Sequence, residues 1–72
     1  MEDTISVLDT GKTQEIRIRR THWKGRDYID VRLFVAKDAT GERIPTRKGV
    51  TLAPDLLPDL IDALEAARSR TS

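Results

Sequence analysis

Between Glu15 and Phe34 the chain alternates with period two. In the first half Ile16 and Ile18 fall on one side, and Arg17, Arg19, Thr21 and Trp23 on the other. In the second half Ile29, Val31, Leu33 and Val35 share a side, and Tyr28, Asp30, Arg32 and Phe34 share the opposite one. Side chains alternate across a strand, so this pattern predicts two strands, each with an apolar face and a face mixing arginine with aromatic rings. Residues 13–23 and 27–37 are the strands. Lys24-Gly25-Arg26 is the hairpin tip between them, where Gly25 takes a positive φ cheaply. A short strand over residues 4–8 precedes them, closed by the turn Thr10-Gly11-Lys12, and a last strand covers residues 46–52 after the turn 38–42. Pro45 is expected just before that strand, where no ladder donor is needed.

From Pro54 the period changes. Leu57, Leu60, Ile61, Leu64 and Ala67 follow one face of a helix. Pro54 suits a first helical position, and Asp55 and Asp59 suit the positive end of the helix. Pro58 either starts the helix or kinks it, because it has no N–H and crowds the preceding turn. The expected architecture is a single α+β domain over residues 1–72, of type ββββα. It comprises an acidic segment at 1–12, an antiparallel sheet at 13–52, a helix at 54–68 and a frayed tail at 69–72. One sheet face covers part of the helix stripe; the rest, Leu57, Leu60, Ile61 and Leu64, is expected to form a seam against a twin helix.

With 72 residues the chain is marginal as an isolated domain. It has no cysteine, so neither a disulfide nor a thiolate metal site is available, and His22 is its one histidine. No cofactor or metal is expected. A second copy of the chain is the expected source of the missing stabilisation. No run of about twenty apolar residues is present, and the acidic N-terminus lacks an apolar signal core, so a cytoplasmic location is expected, nucleoid-associated if the source is bacterial.

The net charge of +1 conceals segregation. Residues 1–11, 12–48 and 49–72 carry net charges of −3, +6 and −2 in turn. A basic sheet carrying rings and cations on one face suits nucleic acid, where cations meet phosphates and rings meet bases.

The stretch HWKGRDYIDVRLF, followed by GERIPTRKGVTLAPD, resembles the single-stranded-DNA-binding domain of the transcriptional positive cofactor 4 family. The family pattern has an aromatic, then Lys-Gly-Lys or Lys-Gly-Arg, then an Ile-Asp-Ile-Arg-like strand. A glycine-containing loop follows, then Arg-Lys-Gly-Ile-Ser-Leu before a proline-capped helix. Here these elements are Trp23, Lys24-Gly25-Arg26, Ile29-Asp30-Val31-Arg32, Gly41 and Arg47-Lys48-Gly49-Val50-Thr51-Leu52 before Pro54. The match spans roughly residues 14–67. The resemblance implies a homodimer that binds single-stranded DNA and engages melted duplex, built from curved antiparallel sheets with C-terminal helices closing the dimer. The chain resembles the bare domain of bacterial or phage relatives, so the binding activity carries over and the coactivator role does not. One departure stands out: the family often places a base-stacking aromatic just after the position of Phe34, and here that residue is Val35.

The candidate site is then Arg17, Arg19, Trp23, Lys24, Gly25, Arg26, Tyr28, Arg32, Phe34, Arg47, Lys48 and Gly49. Trp23 and Phe34 are expected to stack on bases, with Tyr28 stacking or hydrogen-bonding. Arg32, oriented by Asp30, is expected to contact phosphate. Gly25 and Gly49 are expected to let the backbone approach a phosphate, beside Lys24, Arg26, Arg47 and Lys48. His22 is expected to point away from Trp23 as a structural residue. About four to six phosphate contacts on a single strand would give a log–log salt slope of roughly −3 to −4. Replication, repair, recombination and transcription all expose such strands. Nothing in the residues separates DNA from RNA.

An enzyme is not expected: there is no Ser/His/Asp or Cys/His set and no phosphate-cradling glycine loop. The competing reading is a protein-interaction module whose basic face binds an acidic partner. A duplex-DNA regulator using the helix is disfavoured, because Asp55, Asp59, Asp62 and Glu65 would repel phosphates.

Overall fold

The computed structural model describes residues 3–11 and 13–71. Four strands, β1 (Asp3–Gly11), β2 (Gln14–Trp23), β3 (Arg26–Ala36) and β4 (Arg43–Leu52), form one antiparallel sheet in the order β1-β2-β3-β4. A 3-10 turn, Pro54–Leu56, leads into α1 (Leu57–Thr71). The ββββα architecture is the one expected.

Several boundaries differ. The first strand runs nine residues rather than five, because it pairs with β2 along its length from Asp3↔Arg20 to Gly11↔Gln14. Lys12, at the expected turn, lies outside the described residues. Pro45 lies inside β4 and not before it, opposite Phe34. The pairing skips between Arg32 and Phe34, where Thr46, Arg47 and Lys48 form a bulge. β4 is an edge strand, so a proline is tolerated there. The helix continues through Thr71, where a frayed tail was expected at 69–72; Ser72 lies outside the described residues. Arg68 and Arg70 sit in the last turn, favoured by the negative end of the helix. Pro58 causes no kink: it is the second residue of α1, where its missing N–H costs no hydrogen bond.

The β2–β3 hairpin closes in two residues. Lys24 (φ 49°) and Gly25 (φ 78°) both adopt positive φ between the paired Trp23 and Arg26, the conformation whose twist suits a tight hairpin. Only the glycine does so without steric cost. Across the hairpin, β2 and β3 pair without interruption from Gln14↔Val35 to Trp23↔Arg26. This register puts Arg17 opposite Arg32, Arg19 opposite Asp30 and Thr21 opposite Tyr28, all on one face.

The other face is apolar and incompletely covered. Ile16, Ile18, Ile29, Val31 and Val50 from the sheet, Leu8 from β1, and Leu57, Leu60, Ile61 and Leu64 from α1 line an apolar cleft of ≈ 390 Å³. The helix thus stands off the sheet instead of lying flat on it, leaving Ile61 and Leu64 56% and 60% exposed. The molecule is a slab 18 Å thick and 40 × 38 Å across. It exposes 5800 Å², where a compact monomer of this length would expose about 4500 Å². The two buried residues among those described, Phe34 and Asp30, both belong to the polar face.

Candidate nucleic-acid interface

The polar face is organised around two carboxylates. Asp30 is 2% exposed at the centre of β3. Its Oδ2 accepts from Arg19 Nη2 at 2.6 Å, and its Oδ1 accepts from Arg32 Nη2 at 2.9 Å and from Thr51 Oγ1 at 2.8 Å. Burial pushes the Asp30 carboxyl up, but hydrogen bonds from Arg32, Arg19 and Thr51 outweigh it and hold the group down at about 2. The same pairing with Asp30 raises Arg32. Arg32 is anchored a second time, donating from Nη1 to the Thr46 carbonyl at 2.9 Å. Asp30 therefore orients Arg32, as expected, and orients Arg19 as well.

Glu15, one of the residues absent from the expected site, holds the other half of the ridge. It accepts from Arg17 Nε and from Arg43 Nε, the latter at 3.3 Å. Its carboxyl lies below the usual carboxylate range, mainly through the Arg17 bond. Phe34 pairs with Glu15 across β2 and β3, with Arg17 Cζ 4.4 Å and Arg19 Cζ 5.1 Å from its ring centroid. The ring is 4% exposed. This corrects the expected role of Phe34: its ring is under the guanidinium groups and offers no open surface to a base.

Trp23 is different. Its indole is 61% exposed at the end of β2, with Lys24 Nζ 4.5 Å from the ring centroid. Trp23, Tyr28, Thr21 and Thr51 line a shallow hollow of ≈ 310 Å³ whose walls are almost wholly apolar. Tyr28 is half-buried there, placed beside the indole by its pairing with Thr21. Arg26 sits opposite Trp23, so Lys24, Gly25 and Arg26 form a basic tip beside the hollow. A side chain at Gly25 would meet open space, and its requirement is the φ of 78°.

At the other end of the ridge the β4 bulge carries Arg47 and Lys48, both exposed. Thr46 staples the bulge: its hydroxyl donates to the Leu33 carbonyl at 2.8 Å and accepts from the Lys48 N–H at 3.1 Å. Lys24, Arg26, Arg47 and Lys48 form no ion pair with another described residue. Gly49 needs correction. A Cβ there would lie 2.5 Å from the Val31 carbonyl oxygen and 2.8 Å from Arg32 Cα, so the absent side chain admits β3 rather than a phosphate. Its role is to let β4 close on the strand that carries Arg32.

His22 projects from the opposite face, its Nδ1 2.8 Å from Asp27 Oδ1 across the hairpin. That bond is the main cause of a lowered Asp27 carboxyl. Among the described residues no group of three or more His, Cys, Asp or Glu side chains could hold a metal, and no helix is long and apolar enough to cross a membrane.

The polar ridge thus combines pinned arginines, an exposed indole and, at its ends, cations without an ion pair among the described residues. A family model described as Transcriptional Coactivator p15 (PC4) matches residues 10–63. The chain belongs to the PC4 family. Its relatives include the RNA polymerase II transcriptional coactivator KIWI of Arabidopsis thaliana, 36% identical over 53 residues that make up 74% of this chain and 46% of KIWI. The RNA polymerase II transcriptional coactivator SUB1 of Saccharomyces cerevisiae is 30% identical over 56 residues, 78% of this chain and 18% of SUB1. The chain thus spans less than half the length of these curated PC4 relatives. A crystal structure of a PC4 homologue from Burkholderia pseudomallei superposes with a TM-score of 0.88 at 41% identity, covering 97% of this chain and 92% of that one. A bacteriophage T5 homologue of PC4, implicated in recombination-dependent DNA replication, shares the fold with a TM-score of 0.75 at 21% identity, over 97% of this chain and 80% of that one.

Proposed function

We propose that this PC4-family chain binds single-stranded DNA without sequence preference, as a homodimer, through the polar face of its sheet. The observation that carries the reading is the arrangement of that face. An exposed indole beside an apolar hollow lies next to a ridge of fixed guanidinium groups, with four cations at its ends that form no ion pair with another described residue. Cations track a flexible backbone, and an exposed ring accepts any unpaired base, whereas duplex bases hide their faces. Membership of a family of transcriptional coactivators, and a phage relative implicated in DNA replication, support contact with DNA. The process served, whether transcription, replication or repair, follows from where single strands arise.

Dimerisation rests on the apolar side. The sheet underside and the α1 stripe leave a cleft of ≈ 390 Å³, and the chain exposes about 1300 Å² beyond the expectation for a compact monomer, more than the roughly 800 Å² that each partner buries in a standard interface. A second copy contributes the same Leu57, Leu60, Ile61 and Leu64 stripe, and covers that surface symmetrically.

The test is a titration of Trp23 fluorescence with a 20-mer oligothymidine and with matched duplex, repeated over a salt series. The expected outcome is quenching by the single strand at concentrations where duplex has little effect. About four phosphate contacts give a log–log salt slope near −3. Equal binding of duplex, or a slope near zero, overturns the reading.

A further inference from the structure

We propose that the outer face of the Arg17 guanidinium, laid on Phe34, is a second base-stacking subsite on the ridge. The inference rests on the single-strand reading above and says how the middle of the ridge is used. Phe34 belongs to the polar face, opposite Glu15, yet it is 4% exposed. What the solvent meets there instead is Arg17. Its Cζ lies over the ring, 4.4 Å from the centroid, and its Nε is held by Glu15. Glu15 is itself fixed by Arg43. The Arg17 side chain remains 29% exposed, against 4% for Phe34 beneath it.

A guanidinium is planar, delocalised and weakly hydrated, and bases stack on its plane as they do on aromatic rings. Fixing the plane in advance removes the rotamer cost that a free arginine would pay on stacking. Arg19 is less suited, because its side chain is only 12% exposed and is committed to Asp30. Phe34 is then a positioning residue: it sets the tilt of the plane and touches no base. The arrangement also bears on Val35, which pairs between Gln14 and Ile44 on the apolar side and offers nothing to a strand. Arg17 and Trp23 are six positions apart along β2, about 20 Å at strand spacing, so the two platforms take bases that are not neighbours.

The test compares Arg17→Lys with the unaltered chain on a 20-mer oligothymidine and on an abasic strand of the same length. Lysine keeps the charge and lacks the plane. The proposal expects Arg17→Lys to bind oligothymidine about fivefold or more weakly, with its affinity for the abasic strand and its salt slope unchanged. Equal losses on both strands would assign Arg17 to phosphate, and no loss on either would leave it without a role; each overturns the subsite. A wild-type chain that binds both strands equally overturns the subsite while leaving charge-driven strand binding intact. One that binds neither overturns the single-strand reading and this inference with it. Far-UV circular dichroism verifies the variant's fold. Independently of any variant, the Arg17 Nε–Hε resonance of the wild-type protein is expected to move upfield with oligothymidine and not with the abasic strand; identical shifts with both refute the stack.

Discussion

Replacing Asp30 with asparagine keeps the size and shape of the side chain and removes its charge. In the native sheet three donors converge on this carboxylate, from Arg19, Arg32 and Thr51, in a site 2% exposed to solvent. The carboxyl is held at about 2, against 3.8 for a free aspartate. A depression of that size corresponds to about 2 kcal/mol of stability that the ionised form contributes. Because the folded value is the lower one, this contribution is complete above pH 4 and is lost as the pH falls from about 4 to about 2. The Asp30→Asn variant loses more than the protonated acid does, since its amide points a donor at an arginine and leaves two cations half-paired; breaking a buried pair in this way costs about 3–5 kcal/mol. Urea unfolding at pH 7, pH 4 and pH 2, at one protein concentration, measures both effects. The variant should be less stable at pH 7 by at least about 2 kcal/mol, and should lose less stability between pH 4 and pH 2 than the wild type does. The acid sensitivity that remains comes from Glu15, Asp27 and Asp38, whose carboxyls are lowered by Arg17, His22 and Thr40 respectively. A change below about 1 kcal/mol at pH 7, or identical acid profiles, refutes the view that Asp30 organises the ridge. DNA affinity adds a second reading. Charge alone predicts tighter binding by the variant, whereas loss of arginine positioning predicts weaker binding.

Gly49→Ala forces a methyl group to within 2.5–2.8 Å of β3 backbone atoms, so it should destabilise the sheet by about 1–3 kcal/mol in urea unfolding; an unaltered midpoint contradicts the close approach. Lys24→Gly relieves a positive φ of 49° at the hairpin tip and should raise stability by a few tenths to about 1 kcal/mol while weakening oligothymidine binding through the lost charge; reduced stability argues against the tight-turn geometry. Ile61→Glu places a charge at the mouth of the apolar cleft and should convert a dimer to monomer in sedimentation velocity; a dimer that survives excludes the α1 stripe as its seam. Thr46→Val removes the hydroxyl that staples the β4 bulge and should cost about 1 kcal/mol in urea unfolding, with weaker oligothymidine binding as Arg47 and Lys48 lose their fixed placement.

Much of this architecture is legible in the residues, because its periods are long and regular. The alternation from Glu15 to Phe34 fixes the β2–β3 register, and that register alone sets Arg17, Arg19, Asp30 and Arg32 side by side. The helix follows from its 3.6-residue stripe. What the pattern does not carry is depth. Alternation assigns Phe34 to the polar face correctly, but says nothing of two arginines folding over the ring. Glu15 reads as one more charge until its pairing with Arg43, 28 residues away, is seen. Thr51 was within reach, since extending the alternation into β4 puts it opposite Asp30. The bulge was not, because Pro45 looks like a strand boundary unless the strand is known to lie at an edge. Gly49 shows the same limit in another form: a glycine beside two cations fits a phosphate cradle by composition, and only the backbone distances reveal that the neighbour it admits is β3.

The central claim is that one face of the sheet receives the DNA strand. The most direct measurement is an amide and side-chain chemical-shift map of the isotopically labelled protein with and without oligothymidine. Shifts should concentrate at the Trp23 indole, the 24–26 tip, Tyr28, Arg17, Arg32 and the 46–48 bulge, and leave His22 and the outer side of α1 unmoved. Shifts centred on α1 or on the apolar underside would contradict it.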